Sequence, residues 1–132
     1  MADQLLSNMR VLIVEDEMLV MMSIEDMLTD LGCTQITSAS SVDQALTAIQ
    51  TQPFDAATLD VNLNGTQSYA VAEALIDHGV PFAFSTGYGA RGMNDAYRNW
   101  PVLDKPFNFD QLTKVLTALL APSAGGPTAL AA

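Results

Sequence analysis

Four places in this 132-residue chain set side chains capable of polar chemistry at the end of a short apolar run: Glu15 and Asp16, Asp60, Ser85 and Thr86, and Asp104 and Lys105. Carboxylates brought together repel one another, so such a set either raises a pKa or holds a divalent cation. Oxygen-only ligands with open positions suit Mg²⁺, which keeps several waters and shares its shell with phosphate oxygens. A lysine and a hydroxyl opposite the acids complete a pocket of phosphate size. The competing reading is that each acid merely solvates a loop, with Glu15 and Asp16 also favouring the following helix through its dipole. That explains any one of them alone better than it explains all of them together.

The elements that must position these residues are visible in the hydrophobic pattern. Residues 9–14 (MRVLIV) are a strand-like apolar run, and after the acids Val20, Ile24, Met27, Leu28 and Leu31 recur at helical spacing up to Gly32. Gln35–Ala39 reads as a second strand. Ser41 with Gln44 forms a capping-box pattern for a helix that turns Val42, Ala45, Leu46 and Ile49 inward and ends before Pro53. Ala56–Asp60 is a third strand running into a turn-rich loop over 61–65. A helix over about 68–77 turns Val71, Ala74 and Leu75 inward and stops before Gly79. Residues 80–85 (VPFAFS) form a fourth strand and Val102–Asp104 a short fifth. The last helix starts near Asn108, capped by that residue with Gln111 three on, and buries Phe109, Leu112, Leu116, Leu119 and Leu120.

Strands alternating with helices predict an α/β, (βα)5 doubly wound, five-stranded parallel sheet, whose strand C-termini share the edge where ligands bind. Residues 87–99 should supply the fourth of five helices. Three glycines and two asparagines there predict a loop or one short, mobile helix instead. The domain is expected over 9–121, between an N-terminal extension, 1–8, and an uncharged, flexible tail, 122–132.

Fifteen acidic against five basic residues give a net charge of −10, which argues against direct binding of nucleic acid or an anionic membrane. The single cysteine, Cys33, supplies no internal disulfide and reads as a small buried residue. The N-terminus lacks a basic leader, and no apolar run approaches the roughly 18 residues of a membrane span, so a cytoplasmic location is expected. His78, before Gly79 at a helix end, reads as structural. Trp100 is expected to pack beside the last strand. Met18, Met21 and Met22 crowd the first helix, partly as core and partly as an adaptable partner surface. Residues 87–92 spell GxGxxG, but not after a first strand or at the start of a stable helix, so a nucleotide-binding module is a weak alternative. A phosphoaspartyl phosphatase is weak too, because Asn62 in Asp60-Val61-Asn62 cannot serve as the second acid.

Four motifs in order, Val-Leu-Ile-Val-Glu15-Asp16-Glu17, Leu59-Asp60-Val61-Asn62, Ser85-Thr86-Gly87 and Asp104-Lys105-Pro106-Phe107, make the chain resemble a bacterial two-component response-regulator receiver domain. The resemblance implies the receiver, flavodoxin-like topology. It implies a phosphoryl group accepted on Asp60 from a histidine kinase or phosphotransfer protein. It also implies Mg²⁺ bound directly by Asp16 and Asp60, by the Asn62 carbonyl, and through water by Glu15. Thr86 then bonds the phosphoryl group, and Lys105 pairs with it beside a cis Lys105-Pro106 peptide. Such a domain is a signalling switch rather than an enzyme, although it promotes its own phosphorylation and dephosphorylation. The partner expected downstream is an unknown protein, with the chain a monomer or weak dimer. A phosphate sink and an unphosphorylated binding module remain alternatives. In most receivers an aromatic residue stands three before the lysine; here it is Val102. The run Pro81-Phe82-Ala83-Phe84-Ser85-Thr86-Gly87-Tyr88-Gly89 is instead similar to the Phe-Ala-Thr-Gly-Tyr-like signature of an atypical subgroup. That subgroup is often stand-alone and linked to stress signalling. With Tyr88 two after Thr86, the resemblance implies a switch at Thr86, Gly87 and Tyr88, and since the first helix is the usual docking face of receivers, it implies partner contacts at Met18 and Met22, with Pro106.

Overall fold

Alternating short strands and amphipathic helices fold as a parallel α/β sandwich in the computed structural model, which describes residues 5–87, 95–97 and 99–120. The elements are β1 (Arg10–Val14), α1 (Met18–Asp30), β2 (Gln35–Ala39), α2 (Val42–Thr51), β3 (Ala56–Asp60), β4 (Asn62–Leu63), β5 (Thr66–Gln67), α3 (Tyr69–Asp77), β6 (Phe82–Thr86), a 3₁₀ turn (Asp95–Tyr97), β7 (Val102–Asp104) and α4 (Phe109–Leu120). Five strands form one sheet in the order β2-β1-β3-β6-β7, parallel throughout. This is the doubly wound order expected of the sequence pattern, with the switch in strand order between β1 and β3.

Both faces of the sheet are covered, so β3 and β6 are buried along their whole length, polar residues included. α1 and α4 cover one face, where Ile24, Leu28, Leu112, Leu116 and Leu119 meet Val11, Ile13, Ala83 and Leu103. α2 and α3 cover the other, where Ala45, Ile49, Val71 and Leu75 meet Leu12, Leu59, Phe82 and Phe84. Each buried leucine or phenylalanine contributes about 1.5–3 kcal/mol of transfer free energy. Leu6, ahead of the first strand, is also fully buried in the α1/α4 layer, and its N–H donates to Leu31 O at 2.9 Å.

Local chemistry sets the element ends. At α4 the Asn108 and Gln111 side chains each accept the other's backbone N–H at 2.8 Å, a reciprocal capping box. At α2 only half of that motif forms: Ser41 Oγ accepts from Gln44 N at 3.2 Å, but Gln44 Oε1 turns to the N–H and hydroxyl of Ser40. β6 starts at Phe82 rather than at residue 80, because Val80 N–H still bonds Leu75 O at 2.9 Å and Pro81 has no N–H to give. The loop expected after β3 is in fact the β4–β5 hairpin. Asn64 (φ 54°) and Gly65 (φ 85°) both take positive φ at its tip, as a two-residue hairpin turn requires.

The described part of the fourth-helix region is the single 3₁₀ turn, in keeping with the low helix propensity there. Aromatic contacts pin it. Tyr97 stacks on Tyr69 of α3 with centroids 5.3 Å apart and meets Phe84 edge-on at 5.3 Å. Trp100, just ahead of β7, packs on the neighbouring β6: its ring lies 5.2 Å from that of Phe82, and its Nε1–H donates to Phe82 O at 3.2 Å. Cys33 is buried and free, and His78 Nδ1 lies 2.9 Å from Ala74 O at the end of α3.

Arg10 and Asp55 join the starts of β1 and β3. Asp55 Oδ2 accepts from Arg10 N at 2.8 Å and from Nε at 3.1 Å, and Asp55 N–H returns a bond to Arg10 O at 2.7 Å. The hydrogen-bonded guanidinium holds the Asp55 carboxyl below its ordinary value of 3.8. A depressed carboxyl pKa contributes stability above the unfolded value and loses it as pH falls through the folded one. Urea unfolding of Asp55→Asn against wild type is therefore expected to show a modest deficit at pH 7 that shrinks below pH 4. A pH-independent deficit would show the pair to be inert.

Candidate functional site

Parallel strands bring their C-terminal ends to one edge, and the five-stranded sheet delivers Glu15, Asp60, Thr86 and Lys105 there. Asp60 pairs in register with Ser85, and Thr86 with Asp104. Lys105 N–H continues the ladder to Thr86 O at 2.8 Å, and the Lys105-Pro106 peptide is cis. Asp16, Glu17, Asp60, Val61, Asn62, Gln67, Thr86, Gly87 and Lys105 line an open cleft of about 480 Å³.

Lys105 is the electrostatic hub of this cleft. Its Nζ donates to Asp60 Oδ2 at 3.1 Å and to Glu15 Oε2 at 3.1 Å, stands 2.9 Å from Glu15 Oε1 without hydrogen-bond alignment, and lies 3.6 Å from Glu17 Oε1. Asp60 Oδ1 accepts from Asn62 N at 3.1 Å, and Asp16 Oδ2 accepts from Asn64 N at 3.0 Å. Four carboxylates, Glu15, Asp16, Glu17 and Asp60, place one oxygen each within 4.8 Å of one another. One lysine does not balance four acids. Burial, and then the neighbouring Asp60, push the Glu15 carboxyl up to about 7. Burial also raises Asp60, against the opposing pull of its hydrogen bonds and of Lys105. Excess negative charge, hard oxygen donors and a buried Glu15 oxygen lacking an aligned hydrogen bond suit a small divalent cation.

The residues expected to act together mostly do: Glu15, Asp16, Asp60, Asn62, Thr86, Gly87 and Lys105 share this edge. Asp104 does not enter the cleft. Side chains alternate along β7, so Leu103 enters the α1/α4 core while Asp104 takes the other face and is exposed. Ser85 is buried with its hydroxyl unpartnered, facing the same side of the sheet as Asp60. Tyr88 lies outside the described residues, as does most of the GxGxxG run. Glu17 is a cluster member that sequence reasoning passed over, although it is the third acid of one run. On α1, Met18 (75%) and Met22 (51%) are exposed, and so is Leu19 (82%), which the methionine count overlooked.

The model of the response regulator receiver domain family matches residues 11–117, and the chain belongs to that family. It is a signalling module by class. The chain is 42% identical to SdrG from Sphingomonas melonis Fr1, whose solution structure it matches with a TM-score of 0.78 over 89% of this chain and 98% of that one. The BeF3-activated conformation of SdrG, described from Pseudomonas melonis Fr1, matches at 40% identity and a TM-score of 0.75, over 92% of this chain and 100% of that one. The receiver domain of the sensor histidine kinase PA1611 from Pseudomonas aeruginosa PAO1, solved with a magnesium ion in its active-site cleft, matches at 26% identity and a TM-score of 0.74, over 86% of this chain and 98% of that one. No curated protein matches the chain. Among the described residues no helix is long and apolar enough to cross a membrane.

Proposed function

We propose that this receiver accepts a phosphoryl group on Asp60 from a histidine kinase or histidine phosphotransfer protein and relays the change through protein contacts. The observation that carries this is the Asp60 carboxylate at the cleft floor, held by Lys105 Nζ and Asn62 N at 3.1 Å each and flanked by the other acids. Asp16 and Asp60, the Asn62 carbonyl and, through water, Glu15 would hold Mg²⁺. That ion supplies charge neutralisation for the transferred oxygens. An Asp60 oxygen forms the new O–P bond as the P–N bond of phosphohistidine breaks, and the imidazole leaves with its electron pair and takes a proton. Lys105 stays beside the added charge, and Thr86 offers a hydroxyl to a phosphoryl oxygen. Attack by water on phosphorus breaks the Asp60 O–P bond, releasing inorganic phosphate and the free carboxylate, so the same site serves phosphorylation and dephosphorylation.

The donor is read to dock over α1, where Met18, Leu19 and Met22 are exposed beside a groove formed by Val20, Ile24, Met27, Pro106 and Phe107. With the chain at −10, a basic rim on the partner complements this face. SdrG in its BeF3-activated form and the Mg²⁺-bound PA1611 receiver support carrying the switch and the cation to this chain.

The test is intact mass after incubation with acetyl phosphate, with and without Mg²⁺. One Mg²⁺-dependent phosphoryl increment is expected. Its absence with both acetyl phosphate and a purified cognate kinase would favour an unphosphorylated binding module. Thr86→Ala is expected to keep the increment but lose a charge-assisted bond of about 1.5–3 kcal/mol to the phosphorylated state. The phosphorylation-dependent change in emission of Trp100, the only tryptophan, should then diminish. An equal change in both proteins removes Thr86 from the switch.

A further inference from the structure

Ser68 stands at a helix N-cap and does not cap its helix. It precedes α3 and is completely buried, and its side chain makes no bond to the helix's own N–H groups. Its Oγ instead donates to the carbonyl oxygen of Asp60. A serine here ordinarily accepts from the second or third N–H of its own helix. The backbone of Ser68 joins the same arrangement: its N–H donates to Val61 O at 2.9 Å, while Val61 N–H reaches Ser85 O on β6 at 3.1 Å. Both polar groups of the Asp60–Val61 peptide are thereby engaged. The two bonds from Ser68 also close the base of the β4–β5 hairpin, whose tip is tied to the acid cluster through Asn64 N and Asp16 Oδ2.

We infer that Ser68 is a positioning residue for the acceptor, an inference that rests on the reading of Asp60 as the phosphorylated residue. The plane of the Asp60–Val61 peptide sets where the Asn62 N–H meets Asp60 Oδ1, and hence how the carboxylate presents its oxygens. Removing the Ser68 hydroxyl leaves a buried carbonyl unpaired and lets that plane turn. In-line transfer is sensitive to such misplacement. Ser68 does not line the cleft, so it acts only through Asp60.

The experiment follows Mg²⁺-dependent phosphoryl incorporation from acetyl phosphate in the full chain for wild type, Asp60→Asn, Ser68→Ala and Ser68→Thr, with thermal melts and the ¹³C resonance of the Asp60 backbone carbonyl as companions. Ser68→Ala is expected to fold, to incorporate on Asp60 about tenfold more slowly, and to shift the Asp60 carbonyl upfield. Ser68→Thr, which keeps the hydroxyl, should restore both. Should the alanine protein not fold, Ser68→Cys keeps the volume without a strong donor and is read by the same criteria. A wild-type rate in the variant lacking the hydroxyl overturns the inference, and so does a threonine variant as slow as the alanine one. No incorporation in wild type overturns the acceptor reading itself, and this inference with it.

Discussion

Asp60→Asn is expected to abolish phosphoryl incorporation completely while leaving the fold intact. Among the four clustered acids, Asp60 lies on the cleft floor with each carboxylate oxygen held by a donor, Asn62 N on one side and Lys105 Nζ on the other. An amide at this position keeps the shape, but its single oxygen can accept from only one of the two donors, and it offers no anionic nucleophile. Stability should be unchanged or slightly raised, because burial disfavours the charged form of Asp60 in the folded protein and the amide carries no charge. Intact mass with acetyl phosphate, paired with a thermal melt, reads both effects. A phosphoryl increment that persists in Asp60→Asn would move the acceptor to another acid, and Glu15, Asp16 and Glu17 would have to be replaced in turn.

Lys105→Met should carry the largest stability loss. Among the described residues Lys105 alone provides the positive charge among the four acids, with Glu15 almost wholly buried beside it. Deleting one partner of a buried ion pair leaves the other charge uncompensated, at a cost of about 3 kcal/mol, toward the low end of the usual range because Lys105 is itself partly exposed. The pH dependence follows from Glu15. Its folded pKa of about 7 lies above the ordinary 4.5, so between those values the folded state binds more protons and its contribution to stability falls as pH rises. Without Lys105 that window widens, so the deficit in metal-free buffer should be small near pH 5 and grow toward pH 8. Urea titrations across this range check it, and a deficit that is flat with pH would mean the lysine stem, not its charge, stabilises the fold. Phosphoryl incorporation need not stop in this variant, but the Trp100 response to it should be lost along with the lysine's contact to the added charge.

Much of this site is legible in the sequence, for a physical reason particular to the fold class. In a parallel α/β sheet every strand C-terminus reaches the same edge, so noting which residues follow each apolar run suffices to assemble Glu15, Asp16, Asp60, Thr86 and Lys105. The β4–β5 hairpin was within reach as well, since Asn64-Gly65 is a strong two-residue turn signal, but strands as short as Asn62–Leu63 and Thr66–Gln67 have no periodicity to read. Asp104 was collected wrongly with its neighbour Lys105. Sequence adjacency puts them together, but Asp104 ends β7 exposed, opposite the buried Leu103, whereas Lys105 follows the strand and reaches Glu15 and Asp60.

By itself, then, the sequence determined the order of strands and helices, the acidic balance, the chemistry available at the strand ends and the family motifs. Only the tertiary structure decided partners. Lys105 pairs with Glu15 from 90 residues away, the Ser68 hydroxyl chooses the Asp60 carbonyl over its own helix, Tyr97 stacks on Tyr69, and Leu6 enters the core. Such choices depend on which donor lies within reach of which acceptor once water is excluded. That is set by strand register and by helices packing over the sheet, and distance along the chain carries no record of it.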